Sequence, residues 1–256
     1  MSVDRRTFLV TATAAAGAVT LLPYAALADA HSSNVFKTDA GDVTVHPVNH
    51  ASVVLETPKG TIYVDPVGEV AQYADFPRPD VIFVTHEHGD HYNADVLKEL
   101  KGADTPLFVN PAVMAMLPEE LKSNTTALAN GESGEAAGIT IDAIPAYNLT
   151  EERKNFHPQG RDNGYVLGLD DFRIYLSGDT EDIPEMRALE NIDLAFVCMN
   201  LPFTMAADAA ASAVNEFKPT FCYPYHYRGR DDGTQDPEEF AKLVDGATTV
   251  KLGDWY

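Results

Sequence analysis

The sequence predicts an α/β protein, and three observations carry this. Strand-like and helix-like runs interleave from about residue 35 to residue 256, with no Pro/Ser-rich linker and no repeat at the level of motifs. The run Val81-Ile82-Phe83-Val84 is apolar without a break, as in a strand buried on both faces. It passes directly into Thr85-His86-Glu87-His88-Gly89-Asp90-His91, a loop dense in groups that bind metals.

The elements follow in order. Residues 43–48 read as a strand. Residues 52–57 and 61–65 flank Pro58-Lys59-Gly60 and read as a hairpin. Asn93 is placed to cap a helix over 94–101, because its side-chain oxygen can accept from free first-turn amides. Residues 107–109 form a short strand, and Pro111 opens a helix that Pro118 stops. Residues 139–146 alternate as a strand, and 165–169 and 173–177 flank Asp170-Asp171 as a second hairpin. A helix over 183–189, a buried strand over 194–199 and a helix over 206–217 come next. A strand over 220–223, a helix over 237–244 and a strand over 248–252 complete the chain.

The 256 residues are 45% hydrophobic and 22% charged, enough for one domain over 31–256 with a substantial core. The formal charge of -21, from 18 Lys+Arg against 39 Asp+Glu, repels phosphate backbones and anionic lipid. Nucleic acid and membrane surfaces are therefore not expected as partners, and a small-molecule substrate is. Two cysteines, Cys198 and Cys222, are too few for a disulfide scaffold or a cysteine zinc site. They read as buried thiols, with a single disulfide between neighbouring strands as the alternative.

Residues 1–30 read as a leader rather than fold. Arg5-Arg6 precedes Thr7-Phe8-Leu9, an Ala-rich stretch runs to Leu22, and Ala26-Leu27-Ala28 or Ala28-Asp29-Ala30 fits a cleavage site. The pattern resembles a twin-arginine signal, which exports folded proteins. The expected location is periplasmic or extracellular, clear of the membrane once the leader is removed.

The loop after Val84 carries four candidate ligands within six residues: His86, His88, Asp90 and His91. Imidazole nitrogen and carboxylate oxygen suit Zn²⁺ and neighbouring divalent ions. On an extended loop the i, i+2 spacing turns His86 and His88 to one side, and Asp90 and His91 toward a second position. Two ions could share such a loop.

His86-Glu87-His88-Gly89-Asp90-His91 resembles the H-x-H-x-D-H signature of the metallo-β-lactamase superfamily. The resemblance extends to Tyr63-Val64-Asp65-Pro66, to Tyr175-Leu176-Ser177-Gly178-Asp179-Thr180, and to Pro224-Tyr225-His226-Tyr227. Asn49-His50-Ala51 and Gly253-Asp254-Trp255 also fit. The branch it resembles most is that of lactonase-like metal-dependent hydrolases, which includes an ascorbate-phosphate lactonase. The resemblance implies a four-layer αββα sandwich and a pair of divalent ions, zinc foremost, with manganese or iron as alternatives. It implies that Asp179 bridges the ions and His226 completes the ligand set of the second ion. Family members often self-associate, so a homo-oligomer is an expectation too.

One position departs from the pattern. Where the family places a further histidine, this chain has Ala146-Tyr147-Asn148. Asn148 through its amide oxygen, or His157 from the following loop, could serve the first metal; a weak or vacant first site is a third option. His46 and His31 match no ligand position, and His50 reads as a neighbour of the site rather than a ligand.

The implied chemistry is hydrolysis. A metal-bound water ionises near pH ~7 instead of ~16 and becomes the nucleophile, with Asp90 orienting or deprotonating it. No G-x-S-x-G elbow or G-x-x-x-x-G-K loop suggests another route. Tyr225, Tyr227 and Arg228, with Arg230 nearby, are the candidate substrate contacts for a carboxylate or phosphate, unless Asp231 and Asp232 simply neutralise the arginines. The bond cleaved is expected to be an ester, lactone or phosphodiester. True β-lactamase activity, a di-iron redox site and non-catalytic metal binding are the rivals.

Overall fold

The computed structural model describes residues 34–256. The expected leader over residues 1–30 and His31 lie outside the described residues.

Among the described residues, fourteen strands form two sheets of seven, and each sheet follows the chain in order. The first contains β1 (Val35–Thr38), β2 (Gly41–Asn49), β3 (Ser52–Thr57), β4 (Gly60–Val64), β5 (Val81–Phe83), β6 (Leu107–Val109) and β7 (Thr125–Ala127). The second contains β8 (Ser133–Ala136), β9 (Ile139–Ala146), β10 (Asp162–Leu169), β11 (Phe172–Leu176), β12 (Leu194–Cys198), β13 (Phe221–Tyr225) and β14 (Thr249–Val250). Both sheets run through the same sequence of pairings. In the first, β1 to β4 pair antiparallel and β4 to β7 pair parallel. In the second, β8 to β11 pair antiparallel and β11 to β14 pair parallel. The repeat absent from the motifs is present in the topology.

Helices fall in the crossovers that parallel pairing demands. They are α1 (Ala94–Leu100), α2 (Pro111–Met116) and α3 (Glu119–Lys122) in the first half, and α4 (Pro184–Arg187), α5 (Ala207–Phe217) and α6 (Pro237–Leu243) in the second. Asn93 caps α1 as expected, accepting from Asp95 N and Val96 N.

Strand periodicity divides the core. Val53, Leu55, Ile62, Val64, Val81 and Phe83 face the second sheet, while Val54, Tyr63 and Ile82 face α1 and α2. Period-two alternation with both faces apolar is what makes these strands read as unbroken hydrophobic runs. The result is the expected αββα sandwich. Phe83 joins the layers, its ring 5.5 Å from Phe108 and 5.2 Å from Tyr165 of β10. Cys198 and Cys222 are free, buried thiols.

Some elements differ from expectation. The helix over 183–189 is a single turn, Pro184–Arg187, closed at Ala188, whose N–H turns back to Pro184 O and Met186 O. Strands β1, β7 and β8 were not anticipated; β7 and β8 are short and half-exposed. The final strand shrinks to two residues, and the tail Lys251–Tyr256 instead folds back toward the turn after β2.

Candidate metal centre

Strand ends build the site. β4 ends at Val64, and the next residue, Asp65, with φ of 45°, turns the chain out of the sheet. Its carboxylate is fully buried and accepts from Thr85 N and Thr85 Oγ1, each at 2.7 Å, and meets His91 Nδ1 at 2.7 Å. Asp65 therefore fixes both ends of the histidine loop. The second sheet holds the same loop from the other side. Asn163 N donates to Thr85 O at 3.1 Å, and Tyr165 Oη donates to Val84 O at 3.1 Å. Within the loop, the amides of His91 and Tyr92 donate to His88 O, closing a tight turn.

The second sheet supplies the facing groups. After β11, Gly178 adopts φ 58° and a Cβ there would lie 2.6 Å from Asn163 O, so glycine is required at this bend. The bend presents Asp179. Its Oδ1 lies 3.4 Å from His91 Nε2 and 3.4 Å from His226 Nε2, and its Oδ2 lies 3.4 Å from His157 Nε2. His226 leaves β13 with φ 48°, and Asn200 meets its Nδ1 at 2.6 Å. His157 Nδ1 pairs with Asp162 at 2.9 Å, leaving Nε2 toward the site. Arg161 ties Asp162 to Glu87 of the histidine loop.

Three groups of side chains bring their ligand atoms within 4.8 Å of one another: His86, His88 and His157; His50, Asp90 and His226; and His86, His91 and Asp179. His91 Nε2, Asp179 Oδ1 and His226 Nε2 are buried and have no hydrogen-bond partner. Polar atoms left that way are costly unless something coordinates them, so the donor set fits divalent cations.

Electrostatics agree. Burial alone would push Asp179 up, but the His226 and His91 charges outweigh it and hold the carboxyl well below its ordinary range. Burial would pull His91 down, but Asp179 and Asp65 on either side raise it well above. Those carboxylates call for positive charge at His91, carried by a proton or by a cation at Nε2. For His86, burial and then the neighbouring His91 push the imidazole well below its ordinary value, into the neutral form that coordinates metals.

The structure brings His86, His88, Asp90, His91, His157, Asp179 and His226 together. Asn148 is placed differently. Its amide nitrogen donates to Arg153 O and Phe203 O, tying two loops, while its oxygen is buried without a partner. His50 sits closer than the sequence suggested. The β2/β3 register shifts between Pro47 and Asn49, and the next residue, His50, at φ 52°, reaches Asp90 with Nε2 at 3.4 Å. Only tertiary folding brings it there.

The expected substrate contacts need correction. Tyr225 is buried in the core against Phe196 and Trp255, because strand alternation turns its ring inward. Tyr227 packs edge-on against Tyr256, and the Arg228 guanidinium lies 4.0 Å over the Tyr256 ring. Neither Arg228 nor Arg230 forms an ion pair with a carboxylate among the described residues. The pocket over the cluster, about 260 Å³, is lined by His88, Asp90, Phe156, His157, Asp179, Phe203 and His226. Phe156 and Phe203 had no sequence signal. A larger groove of about 330 Å³ beside α1 and α3 has no histidine in its lining, and its Lys98 is paired with Glu120.

Fold and cluster together define a metal-site protein of the αββα sandwich class. Residues 44–226 match the family model described as the beta-lactamase superfamily domain. A metal-dependent hydrolase of Pyrococcus abyssi is 33% identical over 189 residues, 72% of this chain and 82% of that protein. A crystal structure described as a metal-dependent hydrolase from Parabacteroides distasonis superposes with TM-score 0.78 at 38% identity, covering 87% of this chain and 98% of that one. The metallo-beta-lactamase fold protein YhfI from Bacillus subtilis superposes with TM-score 0.65 at 14% identity, over 80% and 88% of the two chains, a likeness of fold alone. The chain belongs to the metallo-β-lactamase superfamily.

Proposed function

We propose that this metallo-hydrolase holds two divalent ions, zinc foremost, and uses water to cleave an ester, lactone or phosphodiester bond in a small molecule. The observation that carries the reading is Asp179, whose oxygens face different histidines: Oδ2 toward His157, Oδ1 toward His91 and His226. His86, His88 and His157 would hold one ion, and Asp90, His91 and His226 the other, with Asp179 between them. Bound ions of this kind polarise the attacked group and lower the proton affinity of water. Asp90 lines the pocket, where its carboxylate takes the proton the attacking water releases and returns it to the leaving group. Asn200 and Asp162 keep His226 and His157 oriented through their other ring nitrogens. Phe156 and Phe203 close the opposite wall and limit water. The Gly178-Asp179-Thr180 and Pro224-Tyr225-His226 elements favour the lactonase-like branch, so lactones come first in a substrate screen. Export by the twin-arginine route would place the activity in the periplasm or outside the cell.

The test is metal content per chain by elemental analysis, for wild type and His157→Ala. About two ions in the wild type and about one fewer in the variant support the reading. A wild type that holds no metal after reconstitution overturns it.

A further inference from the structure

The pocket has two unlike walls. One is the histidine and carboxylate set. The other is Phe156 and Phe203, whose rings meet edge-to-face with centroids 5.1 Å apart.

Backbone ties fasten the second wall. Leu201 N donates to Gly233 O at 3.0 Å and Arg230 N donates to Leu201 O at 3.0 Å, so the segment carrying Phe203 is cross-tied to the segment carrying Arg230. A bridge between Asn200 and Thr234 adds to the tie. Gly229 and Gly233 pack so closely on the Leu201 carbonyl that a Cβ at either would collide with it. The loop carrying Phe156 is fastened to the same segment: Arg153 Nη1 donates to Thr204 O at 3.0 Å and Asn148 Nδ2 to Phe203 O at 2.7 Å. Glu181, buried beneath, accepts from Leu149 N, Thr150 N and Arg153.

Arg230 completes the arrangement. Its guanidinium lies 5.1 Å from the Phe203 ring centroid and has no carboxylate partner among the described residues. In a chain of formal charge -21, an exposed arginine without a carboxylate partner, set against the ring of a pocket-lining phenylalanine, is a local exception to the surface field. A flat apolar group is stabilised against aromatic rings, and an anion beside it is stabilised by a guanidinium.

We infer that Phe156, Phe203 and Arg230 set substrate selectivity, favouring small molecules in which a flat apolar group adjoins a carboxylate or phosphate-type anion. This rests on the hydrolase reading and adds the class of substrate.

The experiment is calorimetric titration of metal-loaded protein with phenylphosphonate and methylphosphonate, for wild type, Phe203→Leu, Phe156→Leu and Arg230→Gln, each first checked for wild-type circular dichroism and metal content. The wild type should prefer phenylphosphonate by about tenfold, within the range that aromatic contacts contribute. Either phenylalanine variant should reduce that preference to about twofold. Arg230→Gln should weaken both phosphonates by about tenfold and leave their ratio unchanged, and Arg230→Lys should recover part of the loss. A metal-loaded wild type that binds both probes equally, or binds neither, overturns the inference, as does a preference that survives both phenylalanine substitutions. A chain that retains no metal overturns the hydrolase reading instead.

Discussion

His50 Nδ1 lies 2.8 Å from the hydroxyl of Tyr256, across 206 residues of sequence. The tail of the chain thus closes on the turn that delivers His50 to Asp90. The backbone secures the junction on two sides: His50 N donates to Trp255 O at 3.2 Å, and His226 N donates to His50 O at 3.3 Å. The Tyr256 hydroxyl also accepts from Arg228 N at 3.2 Å.

Tyr256→Phe keeps the ring under Arg228 and removes both hydrogen bonds. Losing a group that orients a residue at a metal site costs about tenfold in metal affinity or activity, at the lower end of what such partners contribute. Competition against a chromophoric chelator measures it. Affinity equal to wild type would mean that His50 needs no orientation from the tail.

Asp65→Asn replaces one of two acceptor oxygens beneath the histidine loop with a donor. Thr85 Oγ1 and His91 Nδ1, both buried, then compete for what remains. We expect a stability loss of about 1–3 kcal/mol, read from the urea midpoint, with a drop in bound metal. Full metal content with an unchanged midpoint would show that the loop holds its shape without this carboxylate.

Gly164→Ala places a Cβ 2.7 Å from Leu176 O and 2.8 Å from Ser177 O. These are backbone atoms immediately before the Gly178 bend, so relief must move the bend itself. The expected cost is about 1–3 kcal/mol, with lower metal occupancy, because the displaced segment carries Asp179. Thermal unfolding and elemental analysis check it together; a loss of stability with undiminished metal would confine the clash to the strand.

Phe83→Ala empties the space between Phe108 and Tyr165 where the two sheets meet. Removing a fully buried phenylalanine costs about 3–5 kcal/mol. Guanidinium unfolding measures it, and a cost below about 1 kcal/mol would mean that the layers collapse to fill the gap.

What could be read from the sequence was what local order encodes. Val81-Ile82-Phe83 was legible because its alternating faces meet two different apolar layers. The histidine loop was legible because its candidate ligands all fall within six consecutive residues. The edge strands β7 and β8 gave no signal, since pairing to a neighbour rather than apolar periodicity makes them strands. Ile183, Met186 and Leu189 have helical spacing, but one turn already buries Ile183 and Met186. Tyr225 was misplaced because adjacency to His226 says nothing about which face of β13 it occupies. His50, Phe156, Phe203 and Tyr256 reach the site through contacts across loops and sheets, which spacing cannot encode.

The matched order of the two sheets has a consequence for how the centre comes into being. In each sheet the fourth strand leads to an aspartate, Asp65 after β4 and Asp179 after β11, and His91 lies between them. The candidate ligands are divided between the halves: His86, His88, Asp90 and His91 lie in one, His157, Asp179 and His226 in the other. A chain with one half formed offers an ion only part of its coordination. If the proposed ions are held as the ligand positions suggest, their capture would await the docking of the two halves, and the compartment where that docking occurs would bear on which metal is taken up.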